Sequence, residues 1–321
     1  LSKNSKLSVE AAMSNNNINT FSDLDKKNDQ GFGGKLNWDS KFPRQIPPAL
    51  PKGESDSAQS SPPLEATGGW ERSSGEEVWS LLTNVNYEYL QKTFSAIERF
   101  RNVEFERDWN RGNISQTDDQ HIIGGKVGFG KKENIIAYDY KSFLEGSFYK
   151  GMKHALNAHV GTNGFLLTAD ASYLDSKSSF NNTNFLRHNA SLSKKLNIPI
   201  APFKGGLTAG IREQQEQNFI KSKNIDSLIA GSAQFSEWEP YLEFKDSANN
   251  KYTFNYKQRT DYSLSTLAGS ELHRSTYAEN YGGGIELFSN PNNQFRITGS
   301  YRTLKILDTS ITVQKPENTV V

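Results

Sequence analysis

The chain has 321 residues, a formal charge of +1 from 37 basic and 36 acidic side chains, 35% hydrophobic residues and no cysteine. Its mean hydropathy of -0.70, with no apolar run near the ~18 to 20 residues that a spanning helix needs, excludes a bundle of transmembrane helices. Balanced charge without a basic stripe gives no case for nucleic acid, and the missing thiols exclude disulfides, cysteine-ligated metals and thiol nucleophiles.

Near the start, Leu7, Val9, Ala11 and Met13 alternate with Lys6, Ser8, Glu10 and Ser14, the period of a strand with one apolar side. A polar loop from Asn15 to Gln30 leads to a return strand with Phe32, Gly34, Leu36 and Trp38 on one side, so residues 1–41 read as a first hairpin. Residues 42–77 change to Pro, Ser, Gly and charge, including Pro43, Pro47, Pro48, Pro51, Pro62 and Pro63. Prolines at that density cannot donate to a sheet ladder, so this stretch is expected as a long loop or insertion, the one candidate for a domain boundary. Val78 to Leu90 fits a strand and a helix face alike, and its aromatic and β-branched residues favour the strand. Glu98 to Trp109 is the densest charged stretch, expected as an extended segment of facing opposite charges. Its Arg101, Glu104, Arg107, Asp108 and Trp109 are the candidates for docking an envelope partner.

After Gly112 the hairpins become regular. The clearest covers Gly151 to Leu174: Met152, His154, Leu156, Ala158 and Val160 alternate with polar neighbours, then Phe165, Leu167, Ala169, Ala171 and Tyr173 do the same. Gly161-Thr162-Asn163-Gly164 between them supplies residues that tolerate a positive φ. Further alternating runs surround Ile123–Phe129, Ile136–Tyr140, Leu186–Leu192, Phe203–Ile211, Tyr252–Tyr256, Tyr277–Leu287 and Phe295–Tyr301, with a less clean strand near Ser232 to Phe244, where Pro240 suggests a bulge or an end. Asp175–Thr183, Glu213–Asp226 and Ser265–Ser275 read as polar loops. The total is roughly 13 strands, with residues 78–321 forming the main body.

Strand after strand with one apolar side means either a sandwich or a barrel. The opposite side carries Lys126, Asp139, Lys153, Asp170, Arg187, Lys204, Arg212, Arg296 and Arg302, the candidate lining of a wet lumen. Short connections alternating with longer ones, and Trp38, Tyr149, Tyr173 and Trp238 near strand ends, suit membrane interfaces. The expected fold is therefore all-β, an antiparallel up-and-down transmembrane β-barrel, partial in this excerpt of a longer protein. The alternative is a two-sheet sandwich serving as a secreted adhesin or glycan-binding module. Membrane lipid is the expected partner, with an envelope protein as a second.

The runs NNNINTFSDLDKKNDQGFGGKLNW, NYEYLQKTF and ERFRNVEFERDWN, followed by tyrosine-rich hairpins, resemble large outer-membrane proteins of Bacteroidota-type bacteria. That resemblance implies an outer-membrane location and a barrel, and it implies no reaction. The residues agree on the last point. HExxH, P-loop and GxSxG patterns are missing. His154 and His159 are five apart and fall on opposite strand faces, which removes them as a zinc pair. His154 and His188 share the apolar face, where an outer-membrane phospholipase type of barrel keeps its Ser-His pair, but neither has a serine beside it. The Asp23–Asp29 loop offers oxygens for calcium without the glycine and glutamate of the known motif. No enzyme activity, cofactor or metal is expected. The expected role is a pore, a scaffold or a component of an envelope transport or assembly complex.

Overall fold

The computed structural model describes residues 3–16, 29–43, 78–96, 101, 104–111, 116, 118–199, 204–224, 227–264, 271–290 and 293–307. Nearly all of them lie in one sheet of thirteen antiparallel strands in simple chain order, each paired with its neighbours in sequence. The strands are β1 (Ser5–Asn15), β2 (Gln30–Pro43), β3 (Ser80–Leu90), β4 (Gln120–Lys131), β5 (Asn134–Glu145), β6 (Tyr149–Thr162) and β7 (Phe165–Ser178), then β8 (Asn181–Ile198), β9 (Gly205–Ser222), β10 (Ala233–Asp246), β11 (Lys251–Leu264), β12 (Leu272–Asn290) and β13 (Asn293–Ile306). A single helical turn, α1 (Phe105–Asp108), lies between β3 and β4. No second sheet lies against this one among the described residues, so the sandwich is not the architecture. The sheet does not close on itself either: β1 and β13 are its two edges.

The alternation has the consequence its period dictates. Successive side chains point to opposite faces, and the register keeps the apolar positions of neighbouring strands together, as in Leu7↔Trp38, Leu156↔Ala171 and Ile285↔Ile297. A one-residue slip anywhere would turn a strand's greasy residues onto the charged side. At the β6–β7 turn, Asn163 and Gly164 both take a positive φ, 47° and 79°, the backbone that a two-residue hairpin requires.

Several expected loops are strand. Asp175–Ser178 ends β7 and Asn181–Thr183 begins β8, joined by two residues, and Glu213–Ser222 belongs to β9. These stretches carry polar residues on both faces, which hides their period. Their strands are held instead by cross-strand polar pairs such as Ser176 with Thr183 and Arg187 with Glu216. Leu272–Ser275, also expected as loop, opens β12. Pro240 neither ends nor bulges β10, since the register with β9 runs through it unbroken and the register with β11 is the same on both sides of it. Part of the charged block is helical, because Glu104 to Asp108 closes an i to i−4 bond onto the Glu104 carbonyl. Most of the proline-rich stretch, most of the Asp23–Asp29 loop, Phe203 and Glu98 to Phe100 lie outside the described residues.

Candidate functional site

The distribution of apolar residues is inverted relative to a water-soluble domain. Among the described residues, nine hydrophobic side chains are buried while thirty-seven large ones are exposed, including Val9, Ile123, Phe129, Phe254 and Ile297. The exposed ones lie mainly on one face, as a continuous band crossing all thirteen strands. A sheet about 60 Å wide carrying a band about 20 Å tall presents on the order of 1,200 Å², well beyond the ~300 to 600 Å² of the largest apolar patch on an ordinary monomer.

The band is slanted, and its slope follows from the register. One row of directly paired residues on this face runs Phe42, Leu81, Phe129, Ile136, Ala158, Ala169, Ala190, Glu213, Trp238, Gln258, Glu279, Thr303. The row enters the band at its phenylalanine border in β2 to β4, crosses alanines in β6 to β8, and leaves at Trp238 in β10 for polar positions. In β7 the whole band, Phe165 to Tyr173, is nine residues, or eight residue steps, deep. Relative to this row the phenylalanine border shifts by eight residues over the eleven strand steps from Phe42 to Phe295, and the other border by ten over the nine steps from His121 to Tyr301, a mean drift of about one residue per strand. With ~3.4 Å per residue and ~4.8 Å between strands, the strands tilt from the band normal by about 35°. The band is then about 22 Å tall.

Its two borders differ. Toward the β4 start and β6 start lie Tyr87, His121, Tyr138, Tyr140, His154 and Tyr173, joined by hydrogen bonds Tyr87 Oη–His121 Nδ1 (2.8 Å) and Tyr138 Oη–His154 Nδ1 (2.6 Å). Farther along the slope, Trp238, Tyr256, Tyr281 and Tyr301 continue the same border with ring contacts between successive members. The other border is Phe42, Phe129, Phe165, Phe244, Tyr252 and Phe295 on the neighbouring ends of the strands. His188, on the apolar face, is paired with Glu213 at 2.8 Å, and His159 lies on the opposite face, across from Thr168.

The second face is polar, and the sequence-derived candidates fall on it. Lys126, Asp139, Lys153, Asp170, Arg187, Arg212, Arg296 and Arg302 all share it, and Lys204 immediately precedes β9. Many are paired across strands: Arg187 with Glu216 at 3.2 Å, Arg212 with Glu239 at 3.1 Å, Arg296 with Glu286 at 3.0 Å, and Asp170 accepting from Asn157 at 2.7 Å. Lys257 bridges Glu237 and Glu239.

The principal apolar cluster lies, unexpectedly, on this polar face. Trp109, Ile122, Phe143, Tyr149, Leu174 and Phe185 pack together, with Phe105 against them. Trp109 comes from the segment after α1, which folds back over the sheet. Gly151 of β6 makes room for it and for Tyr149, since a Cβ there would lie 3.0 Å from Trp109 Cε3 and 2.8 Å from Tyr149 Oη. Tyr149 was expected at a membrane interface, but its ring is buried in this cluster and its hydroxyl donates to the Trp109 carbonyl.

Polar anchors surround the cluster. Arg111 donates Nε and Nη2 to the two oxygens of Glu145 at 2.8 and 2.9 Å, with both side chains buried, and also meets Glu106. A pair so fully removed from water persists only because the geometry is bidentate and the remaining donors are used. Arg101 donates to Glu88 at 2.6 Å and stacks over Phe105. Asp108 lies 3.8 Å from Lys153 and 3.7 Å from Arg187, and Asn110 bonds Asn218 at 2.8 Å. These contacts spread from β3 to β9.

Of the five docking candidates, Arg101, Asp108 and Trp109 are thus engaged with the chain's own sheet. Glu104 and Arg107 pair with each other at 2.9 Å and are exposed, 51% and 61%. Among the described residues there is no group of three or more His, Asp or Glu placed to hold a metal. No family model, curated protein or solved structure matches the chain.

Proposed function

We propose that this chain forms the wall of a transmembrane β-barrel in a bacterial outer membrane, with lipid against the apolar face and water against the polar one, and that it acts as a pore or as the scaffold of an envelope transport complex. One observation carries the reading: the exposed band is slanted by about one residue per strand, which sets the strands at the ~35 to 45° tilt of membrane barrels. A band about 22 Å tall is close to the ~25 Å apolar belt of such barrels, and bordering aromatic rows match their girdles. The resemblance to Bacteroidota-type outer-membrane proteins points the same way.

The test is physical. The chain should partition with membranes, require detergent, and migrate differently on gels with and without heating. Reconstituted into planar bilayers, it should pass current in discrete steps. A monodisperse protein in buffer without detergent, silent in bilayers, would remove the membrane reading altogether.

A further inference from the structure

We infer that Glu104 and Arg107 set the charge balance that ions meet along the lumen side of the wall, as a balanced pair on a ledge built from α1 and the residues that follow it. The inference rests on the reading of the sheet as a pore wall and goes one step further, to what governs passage. Its first support is the seat. Trp109, Arg111, Asp108, Asn110 and Arg101 fasten this stretch to β3 through β9 by a buried ion pair, a packed indole and side-chain bonds, so it is a fixed obstruction.

The second support is size. Thirteen strands ~4.8 Å apart and tilted by about 35° give an open arc of about 76 Å. A helical turn with its side chains is about 10 Å thick, so the ledge stands out from the polar face by about that distance and narrows the space that face lines.

The third is charge. Along the wall, many cations and anions are tied to partners on adjacent strands, whereas on the ledge the charges divide by side. Arg101 and Arg111, with side chains 14% and 2% exposed, face the sheet, and Glu104 and Arg107, three residues apart on one side of the turn, face away from it. An exposed pair of this kind binds weakly and keeps both charges in water, where they act on passing ions. Because the signs cancel, the ledge of the parent protein favours neither ion, and reversing one sign leaves two like charges on it.

The experiment uses the full chain reconstituted in planar bilayers under a potassium chloride gradient. Arg107→Glu should move the reversal potential toward cation preference and Glu104→Lys toward anion preference, each changing the permeability ratio roughly threefold or more. The double swap should return the parent value. Both side chains are exposed, so folding should survive, which the heat-dependent gel shift verifies. A conducting parent whose reversal potential is unmoved by either swap overturns this inference and leaves the pore standing. A parent that does not conduct removes the pore reading and the inference with it. The seat is checked separately: since the chain has no cysteine, a short bis-maleimide should join Asp108→Cys to Lys153→Cys in the membrane-folded protein, and failure to join them overturns the ledge.

Discussion

Replacing Leu192 with arginine separates a lipid-covered face from a wetted one. Leu192 lies in β8 between His188, near one border of the apolar band, and Leu196, near the other, and the residue is 48% exposed. If that exposure is to water, arginine costs within ~0.5 kcal/mol, as at most surface positions. If it is to the middle of a bilayer, the same change costs about 2 to 4 kcal/mol. Taking ~3 kcal/mol, the folding equilibrium falls roughly a hundredfold, since each ~1.4 kcal/mol is a factor of ten. Gln217→Arg is the matched control. Gln217 shares the face, directly opposite Leu186 on the neighbouring strand, but lies beyond the tyrosine border, where arginine should cost about 0 to 1 kcal/mol. Urea titrations of both variants and the parent, refolded into lipid vesicles and read by heat-dependent gel mobility, give the comparison. Equal losses in the two variants, or a neutral Leu192→Arg, would show that lipid does not cover this face.

Three further outcomes test the polar face and the turns. Glu145→Gln removes the carboxylate that meets Arg111 Nε and Nη2 and leaves Glu106 as a partner; losing one member of a buried pair costs about 3 to 5 kcal/mol, and the surviving partner keeps the loss near the lower end. Trypsin should then cut at Arg107 roughly a hundredfold faster in detergent while the heat-dependent gel shift is retained, and cleavage at the parent rate would contradict the anchoring role. Gly151→Leu places a side chain against both Tyr149 and Trp109, its Cβ 2.8 Å from the Tyr149 hydroxyl and 3.0 Å from Trp109 Cε3; the variant should lose about 1 to 3 kcal/mol and expose an indole to acrylamide quenching, and unchanged quenching would mean that the segment is not seated there. Gly164→Val meets both the positive φ of 79° and the Lys195 carbonyl, 2.7 Å from the new Cβ. It should lower stability by at least about 1 to 2 kcal/mol, read as a lower urea midpoint, with Asn163→Gly nearly neutral.

The strands were legible wherever one face is greasy and the other polar, which is why β6 and β7 could be placed almost to the residue from Met152 to Tyr173. They were illegible where both faces meet water or polar side chains. Ser176, Asn184, Gln215 and Gln217 continue their strands with no alternation to betray it. The ledge was invisible because its fold depends on distant residues: Arg111 needs Glu145, and Asn110 needs Asn218. A local signal for its seat does exist. Ile122-Ile123, Phe143-Leu144, Tyr173-Leu174 and Phe185-Leu186 are adjacent apolar pairs in otherwise alternating strands, and each pair forces one member onto the polar face. The four displaced residues, Ile122, Phe143, Leu174 and Phe185, are the floor on which Trp109 rests. The slant of the band was hidden as well, since it is a property of register between strands and not of any one strand.

Because every strand joins the one before it, the wall can zip up hairpin by hairpin, with little loop entropy lost at each step. The ledge cannot follow that order. Trp109 leaves the sheet between β3 and β4, yet the floor beneath it is completed only by Phe185 of β8, and Asn110 waits for Asn218 of β9. Newly assembled protein should therefore pass through a stage in which the sheet is paired and its polar face is bare, and the ledge docks as the closing act of assembly.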